Sequence, residues 1–310
     1  MRADVLASTV NMSHEEWLAA RKNGLGGSDV AVITGFSKYK SPVELYLEKI
    51  GEFEPKEAGE AAYFGTLLED VVAKEFEKRS EMKVRRRNAI LRHPDYPWML
   101  ANLDRVIVGK QEGFEAKTAS AYLSDEWAED KVPWSYELQC QHYMAVTGYE
   151  RWWIACLVGG NKFVYKPIER DEEVIQAVIQ AERKFWNEHV VKRIPPMIDG
   201  SDASSNLLNT LYPKSIPDTY VELPSDAKRL LEDFEYWQTE EKSAGERKDE
   251  AANKLKDMLG EHESGWIGER KVIWKSVASN RFDSTKFKKD HPDLYGQYVK
   301  ESLSRRFSVK

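Results

Sequence analysis

Asp104 and the tripeptide Glu115-Ala116-Lys117 place two acids and a lysine within a short stretch of chain, a minimal set for hydrolysing a phosphodiester. In an extended strand the side-chain period of two puts Glu115 and Lys117 on one face, so carboxylate and ammonium share a pocket. Asp104 closes the apolar run Trp98-Met99-Leu100-Ala101-Asn102-Leu103. Residues 106–113 then read as strand, turn and return strand, a hairpin that sets Asp104 beside Glu115. Two carboxylates that close repel unless a hard cation lies between them, and Mg²⁺ takes one or two protein carboxylates while keeping positions for water and phosphate oxygens. The plainer reading of the same residues is a surface hairpin with a Glu/Lys ion pair.

Two more polar residues stand near this set. Residues 60–80 carry Phe64, Leu67, Leu68, Val71, Val72 and Phe76 at helical spacing, which places Glu69 close to an apolar stripe. A carboxylate there takes a metal or a cation as partner, or reaches past the helix edge to solvent. Residues 136–147 form a second amphipathic helix on which Gln139 precedes Tyr143 by one turn. Gln139 is placed to donate to a water or a phosphate, or else is a surface amide; Gln141 is the competing candidate.

The elements that must position these groups follow from local signals. Ser13 with Glu16, and Ser41-Pro42-Val43-Glu44, fit the capping box, and Ser28 precedes the apolar stretch Val30 to Ile33, so three helices come before the long one. Strands are expected around 84–91, 98–108 and 114–117, then the helix 136–147, strands 152–158 and 163–168, and a helix capped by Asp171 running to about Val190. The pattern predicts a mixed sheet flanked by helices, an α/β or α+β core. The stretch from Pro195 to Pro224 is rich in Pro, Ser, Asp and Asn, with 199–206 as its least structured piece. We therefore expect a domain over 1–198, a linker over 199–224 and an extension over 225–310. That extension reads as one long charged helix to Glu261, a hairpin over 266–277, a short helix over 284–289 and a strand over 302–309.

The order Glu69, Asp104, Glu115-Ala116-Lys117, Gln139 resembles the phage lambda exonuclease branch of the PD-(D/E)XK nucleases, in particular the YqaJ-type viral recombinases. Trp17-Leu18-Ala19-Ala20-Arg21 followed by Gly27-Ser28-Asp29-Val30 looks like that family's N-terminal signature, and Phe64-Gly65-Thr66-Leu67-Leu68-Glu69 looks like its helix motif. The likeness runs from about Ser13 to Pro196. A departure is Asn102-Leu103-Asp104, where the family often has a serine or threonine and a proline before the aspartate. The resemblance implies a restriction-endonuclease-like core and a DNA exonuclease that degrades one strand of a linear duplex 5′ to 3′, leaving 3′ overhangs. It implies Mg²⁺ or Mn²⁺, as two ions, held by Asp104 and Glu115 with Glu69 as a further ligand. Lys117 would orient or deprotonate the attacking water; desolvation would lower its pKa while the neighbouring carboxylates push the other way. Gln139 would position that water or Lys117, and Arg21 with Ser28 would take the 5′-terminal phosphate. The partners it implies are duplex DNA ends, a single-strand annealing protein of the RecT type, and further copies of the chain in a ring-shaped trimer. A nonspecific endonuclease or repair nuclease, and a catalytically idle DNA-end binder, are the rival readings.

The whole chain sets outer bounds. At 310 residues it buries a sizeable core. A formal net charge of −6 argues against a generic nucleic-acid binder, but Lys83-Val84-Arg85-Arg86-Arg87 is a local basic strip beside the proposed site strands, readable also as a charged, aggregation-proof edge. The two cysteines, Cys140 and Cys156, form no CxxC pair and the six histidines are scattered, which argues against zinc and against a disulfide framework. No glycine-rich nucleotide loop is present. The longest apolar run, residues 152–158, is far too short to span a bilayer, and we expect a cytoplasmic protein.

Overall fold

The computed structural model describes residues 3–54 and 59–309. They divide into two compact units at 213/214.

The first unit begins with β1 (Asp4–Ser8), a strand that local sequence did not announce, followed by α1 (His14–Lys22), α2 (Gly27–Ile33), α3 (Pro42–Ile50) and α4 (Glu60–Ser80). Ser13 and Glu16 close the expected capping box on α1, with Ser13 Oγ accepting from Glu16 N at 3.1 Å and Glu16 Oε2 from Ser13 N at 2.8 Å. Ser41 caps α3 and Pro42 opens it. Ser28 is not a cap: α2 starts one residue earlier, at Gly27, and its N-cap is Gly26, whose N–H donates to Asp29 Oδ2 at 3.0 Å.

Strands β2 (Val84–Arg86), β3 (Ala89–Arg92), β4 (Leu100–Asn102), β5 (Arg105–Ile107) and β6 (Glu112–Ala119) follow, then a 3-10 helix (Ala121–Trp127), α5 (Trp134–Thr147), β7 (Arg151–Val158), β8 (Lys162–Glu169) and α6 (Glu172–Lys184), which continues as a π-helical turn to Val191. The expected strands 84–91 and 98–108 are each broken in two, because the halves belong to different sheets. One sheet has the order β1-β3-β4 and the other β2-β5-β6-β7-β8. In the larger sheet β6 and β7 pair in parallel and every other neighbouring pair is antiparallel. The crossover from β6 to β7 runs through α5.

Alternation along β6 and β7 sorts their side chains between two layers. Phe114, with Ala155 opposite Ala116, packs with Val72, Ala73 and Phe76 of α4. On the other face, Ile154 and Cys156 join Cys140 and Met144 of α5 and Ile175 and Ile179 of α6 in the main core. Only the second half of α4 buries its apolar stripe: Phe64, Leu67 and Val71, expected inside, are exposed. Gly113 lets β6 approach β7, since a Cβ there would meet the Trp152 ring at 2.3 Å. The Asp171 cap of α6 is present, accepting from Glu173 N and Val174 N.

The stretch expected as a linker, 199–224, contains α7 (Asp202–Leu211). Its Ser and Asp residues build a helix start: Ser201 Oγ accepts from Ser204 N, and Asp199 Oδ1 accepts from Ser201 N at 3.1 Å and from Ser204 Oγ at 2.7 Å. Ala203 and Leu207 are buried, and α7 contacts α3 within the first unit.

The second unit comprises α8 (Ala227–Leu259), which runs unbroken through Gly245, the hairpin β9 (Ser264–Ile267) and β10 (Arg270–Ile273), α9 (Ser284–Asp290) and α10 (Pro292–Tyr298). The long helix, hairpin and first short helix match expectation. The strand expected over 302–309 is absent, since no neighbouring strand pairs with it; Phe307 instead sets its ring edge-on to Phe234 of α8.

Candidate active site

Asp104 lies between β4 and β5, where the chain passes from one sheet to the other. Its Oδ2 accepts from the Ala116 N–H of β6 at 3.1 Å, which fixes the aspartate beside Glu115. Glu115 and Lys117 share the face of β6 that looks at α5, and Lys117 Nζ donates to Glu115 Oε1 at 2.6 Å. Gln139 of α5 donates to the same oxygen at 2.7 Å and to Tyr143 Oη at 2.9 Å. Gln141 faces elsewhere, donating to Glu169 O and accepting from Asp171 N. The approach of α2 to this face needs Gly27, where a Cβ would meet Tyr143 Cε1 at 2.7 Å and Gln139 Cγ at 2.9 Å.

The charges are strongly perturbed. Burial, then the repulsion of Asp104, pushes the Glu115 carboxyl up to about 8. Burial raises Asp104 as well, against the attraction of Lys117. For Lys117 burial alone would lower the pKa, but Glu115 and Asp104 outweigh it and hold the ammonium well above its ordinary value. Of the two opposing effects expected at this lysine, the carboxylates win. Lys117 Nζ also sits 4.8 Å from the centre of the Tyr136 ring.

Glu69 is close enough for Asp104 to raise its pKa, after burial, but its Oε1 accepts from Arg105 Nη2 at 3.1 Å. Arg105 also binds Asp70, which pairs with Arg86 at 2.6 Å. Among the described residues no group of three or more Asp, Glu, His or Cys side chains converges as a metal cage. What the site does offer a cation is an oxygen pair with one vacant acceptor: Glu115 Oε2 is buried without a hydrogen-bond partner, next to the Asp104 carboxyl. All-oxygen donors and a deficit of positive charge suit a hard divalent ion.

Arg21 and Ser28 meet across one end of the same cleft, which has a volume of about 180 Å³ and is lined also by Trp17, Asn102, Asp104, Glu115 and Gln139. Arg21 Nη2 donates to Ser28 Oγ at 3.3 Å, and its guanidinium carbon lies 4.7 Å from the Trp17 ring centre. Beneath them Asp29 is buried against Lys49 at 2.8 Å. Asp29, Lys49, Tyr136 and Arg105 are the site neighbours that sequence reasoning missed. The available signals were an acid inside the Gly27-Ser28-Asp29 motif and an arginine directly after Asp104; Lys49 gave none.

The acid pair and lysine stand on and beside β6, the central strand of a mixed sheet flanked by helices, and this fold is found in solved structures. LHK-Exo in complex with dAMP has the same fold, with a TM-score of 0.50 at 21% identity over 64% of this chain and 97% of its own. A second structure, described as an alkaline exonuclease (LHK-Exo) from Laribacter hongkongensis, gives a TM-score of 0.48 at 21% identity over 58% and 96%. The model of the YqaJ-like viral recombinase domain matches residues 16–150, the stretch that holds every candidate site residue from Arg21 to Gln139. YqaJ of Bacillus subtilis (strain 168) is 44% identical over 312 residues, spanning 100% of this chain and 98% of its own. The chain belongs to the YqaJ-like viral recombinase family. Among the described residues no helix is long and apolar enough to cross a membrane.

Proposed function

We propose that the protein is a metal-dependent DNA exonuclease. The observation that carries the reading is Glu115: a buried carboxylate holding Lys117 and Gln139 on one oxygen and presenting the other, unpartnered, beside Asp104. Asp104 and Glu115 would hold Mg²⁺ or Mn²⁺, with Glu69 as a ligand for a second ion. When bound, such ions neutralise charge on the phosphate and make water a better nucleophile. Lys117, kept charged, orients the attacking water and offsets negative charge developing on the phosphate. Gln139 fixes the Glu115 carboxylate, and Tyr143 fixes Gln139. Arg21 and Ser28 line the same cleft as Asp104 and Glu115, which suits them to a 5′-terminal phosphate one step from the scissile bond.

From the family come the finer parts of the proposal: degradation of one strand 5′ to 3′, a 3′ overhang delivered to a single-strand annealing protein of the RecT type, and a ring-shaped trimer around the duplex. Encirclement would let a chain of net charge −6 stay on DNA without a broad basic face.

The test is digestion of linear duplex labelled separately at each 5′ end, beside covalently closed circular duplex, with and without Mg²⁺. Linear DNA should release its 5′ labels early and only with the metal, while the circle survives. Digestion of the circle would replace the reading with an endonuclease, and no release from either substrate would leave a DNA-end binder.

A further inference from the structure

Arg105 follows Asp104 in the chain, yet its side chain takes the opposite face of the sheet. It pairs in register with Phe114, whose ring packs on Phe76 of α4, and so meets the middle of α4 rather than α5. There its Nη2 donates to Glu69 Oε1 at 3.1 Å and to Asp70 Oδ1. The Arg105 side chain is 10% exposed and Glu69 is 25% exposed, so the glutamate keeps an open side that the arginine lacks. Arg105 Nε is buried without a partner. Glu69 and Asp70 thus hold the guanidinium through one nitrogen and do not lock it as a two-pronged clamp.

Charge decides what this arrangement does to ion binding. Once Glu115 has exchanged its proton for a cation, the groups joined by these contacts are four carboxylates, Glu69, Asp70, Asp104 and Glu115, against the cations Arg86, Arg105 and Lys117, one negative charge in excess before the charge of the ion is added. One divalent ion at Asp104 and Glu115 reverses that sign. A second ion would enter a site already positive, and the carboxylate it needs, Glu69, already carries a fixed cation. At separations of a few ångströms a unit charge changes ion affinity by well over an order of magnitude, even with an effective dielectric constant of about 20.

We propose that Arg105 is a built-in competitor for the second divalent ion, so that the first ion binds at Asp104 and Glu115 and the second binds only as Arg105 gives up Glu69. The inference rests on the proposed ion at Asp104 and Glu115 and adds that the two ions bind in sequence with widely separated affinities. It makes Arg105 a positioning residue that acts through Glu69.

Mn²⁺ titrated into the full-length protein, with free Mn²⁺ followed by its electron paramagnetic resonance signal, tests this without a nuclease assay. Wild type should show a tight class and a second class weaker by about tenfold or more. Arg105→Met should tighten the second class by about tenfold or more and leave the first within about threefold, whereas Arg105→Lys, which keeps a cation, should preserve the gap. Glu69→Gln should remove the second class from wild type, a prediction that holds even if Arg105→Met fails to fold. Equal affinities for two ions in wild type, a second class untouched by Arg105→Met, or a weak class that survives Glu69→Gln would each overturn the inference while leaving the first ion in place. An isotherm for Glu115→Gln identical to that of wild type would instead remove the ion at Asp104 and Glu115, and the nuclease reading with it.

Discussion

Lys49 Nζ lies 2.8 Å from Asp29 Oδ2, with both side chains 6% exposed, directly beneath the pair Arg21 and Ser28. The same ammonium donates to Arg21 O at 3.1 Å, and Asp29 Oδ1 is 3.9 Å from Arg21 Nη2. One buried ion pair therefore fixes Arg21 at its backbone and its guanidinium, and it ties α1, α2 and α3 together. Burial alone would raise the Asp29 carboxyl, but Lys49, Arg21 and the Gly26 N–H outweigh it and hold Asp29 far below its ordinary value.

Asp29→Asn should destabilise the first unit by about 3–5 kcal/mol, because it leaves the Lys49 ammonium buried without its counter-charge. The pH dependence has a defined sign. A carboxylate whose folded pKa is depressed contributes stability above its unfolded pKa, near 3.8, and loses it as pH falls through the lower folded value. The gap between wild type and Asp29→Asn in urea unfolding should therefore be constant from neutral pH to about 5 and narrow only in strong acid. A gap that vanishes near pH 6 would show that the Asp29 carboxylate is not stabilised as described.

Glu115→Gln and Lys117→Ala should each lower nuclease turnover by about a thousandfold or more, since each removes a charge placed at the reacting phosphate. Folding should be spared in the first case. Burial and Asp104 disfavour a charge on Glu115 while Lys117 favours it, and the carbonyl oxygen of an amide of the same shape can still accept from Gln139 and Lys117, so the melting temperature of metal-free Glu115→Gln should lie close to that of wild type. Retention of more than about a tenth of turnover with Mg²⁺ saturating would remove that residue from the proposed machinery.

A chain ending at Pro213 should stay folded and keep hydrolytic activity, because every candidate site residue and α7 lie before that point. One ending at Asp199 should melt lower, having lost Ala203 and Leu207 from their buried positions. Circular dichroism melts of the two chains and release of nucleotides from linear duplex read the outcome. An inactive but folded 1–213 chain would assign the second unit a part in the site.

The acid-acid-lysine core was legible because it depends on strand alternation and one hairpin, both local signals: Glu115, Lys117 and Asp104 meet as the period of two requires. Gln139 was singled out over Gln141 by the family resemblance, through Tyr143 four residues on; by itself it read as a surface amide, and only the packing of α5 on β6 buries it. The change of sheet at Leu103 and Asp104 was not legible, since the apolar run from Trp98 onward continues across it and only distant pairing, β4 with β3 and β5 with β6, marks the break. Burial of Asp29 was equally hidden, because its stability comes from Lys49, twenty positions later in the sequence. In α7 the polar residues that local reading took for a linker serve as a helix cap, and what makes the helix is packing of Ala203 and Leu207 within the first unit.

Arg21→Ala should abolish discrimination between 5′-phosphate and 5′-hydroxyl ends. Arg21 is 34% exposed, faces the cleft that contains Asp104 and Glu115, and is braced by the Trp17 ring, Ser28 and Asp29. A guanidinium so held can bind a phosphate with two parallel hydrogen bonds at little cost in side-chain freedom, and Ser28 Oγ can add a third. Asp29 does not cancel the guanidinium, because Lys49 lies closer to that carboxylate than Arg21 does. Linear duplexes that differ only in the terminal 5′ group, digested under single-turnover conditions, separate this role from a structural one. Wild type should cut the phosphorylated end faster by tenfold or more, in line with a charge-assisted pair of about 1.5–3 kcal/mol. Arg21→Ala should cut both ends at the slower rate with the same Mg²⁺ requirement, and Arg21→Lys should restore part of the preference as a single-pronged cation. If Arg21→Ala still prefers the phosphorylated end by the wild-type factor, the 5′-phosphate is bound elsewhere and Arg21 serves only to join α1 to α2.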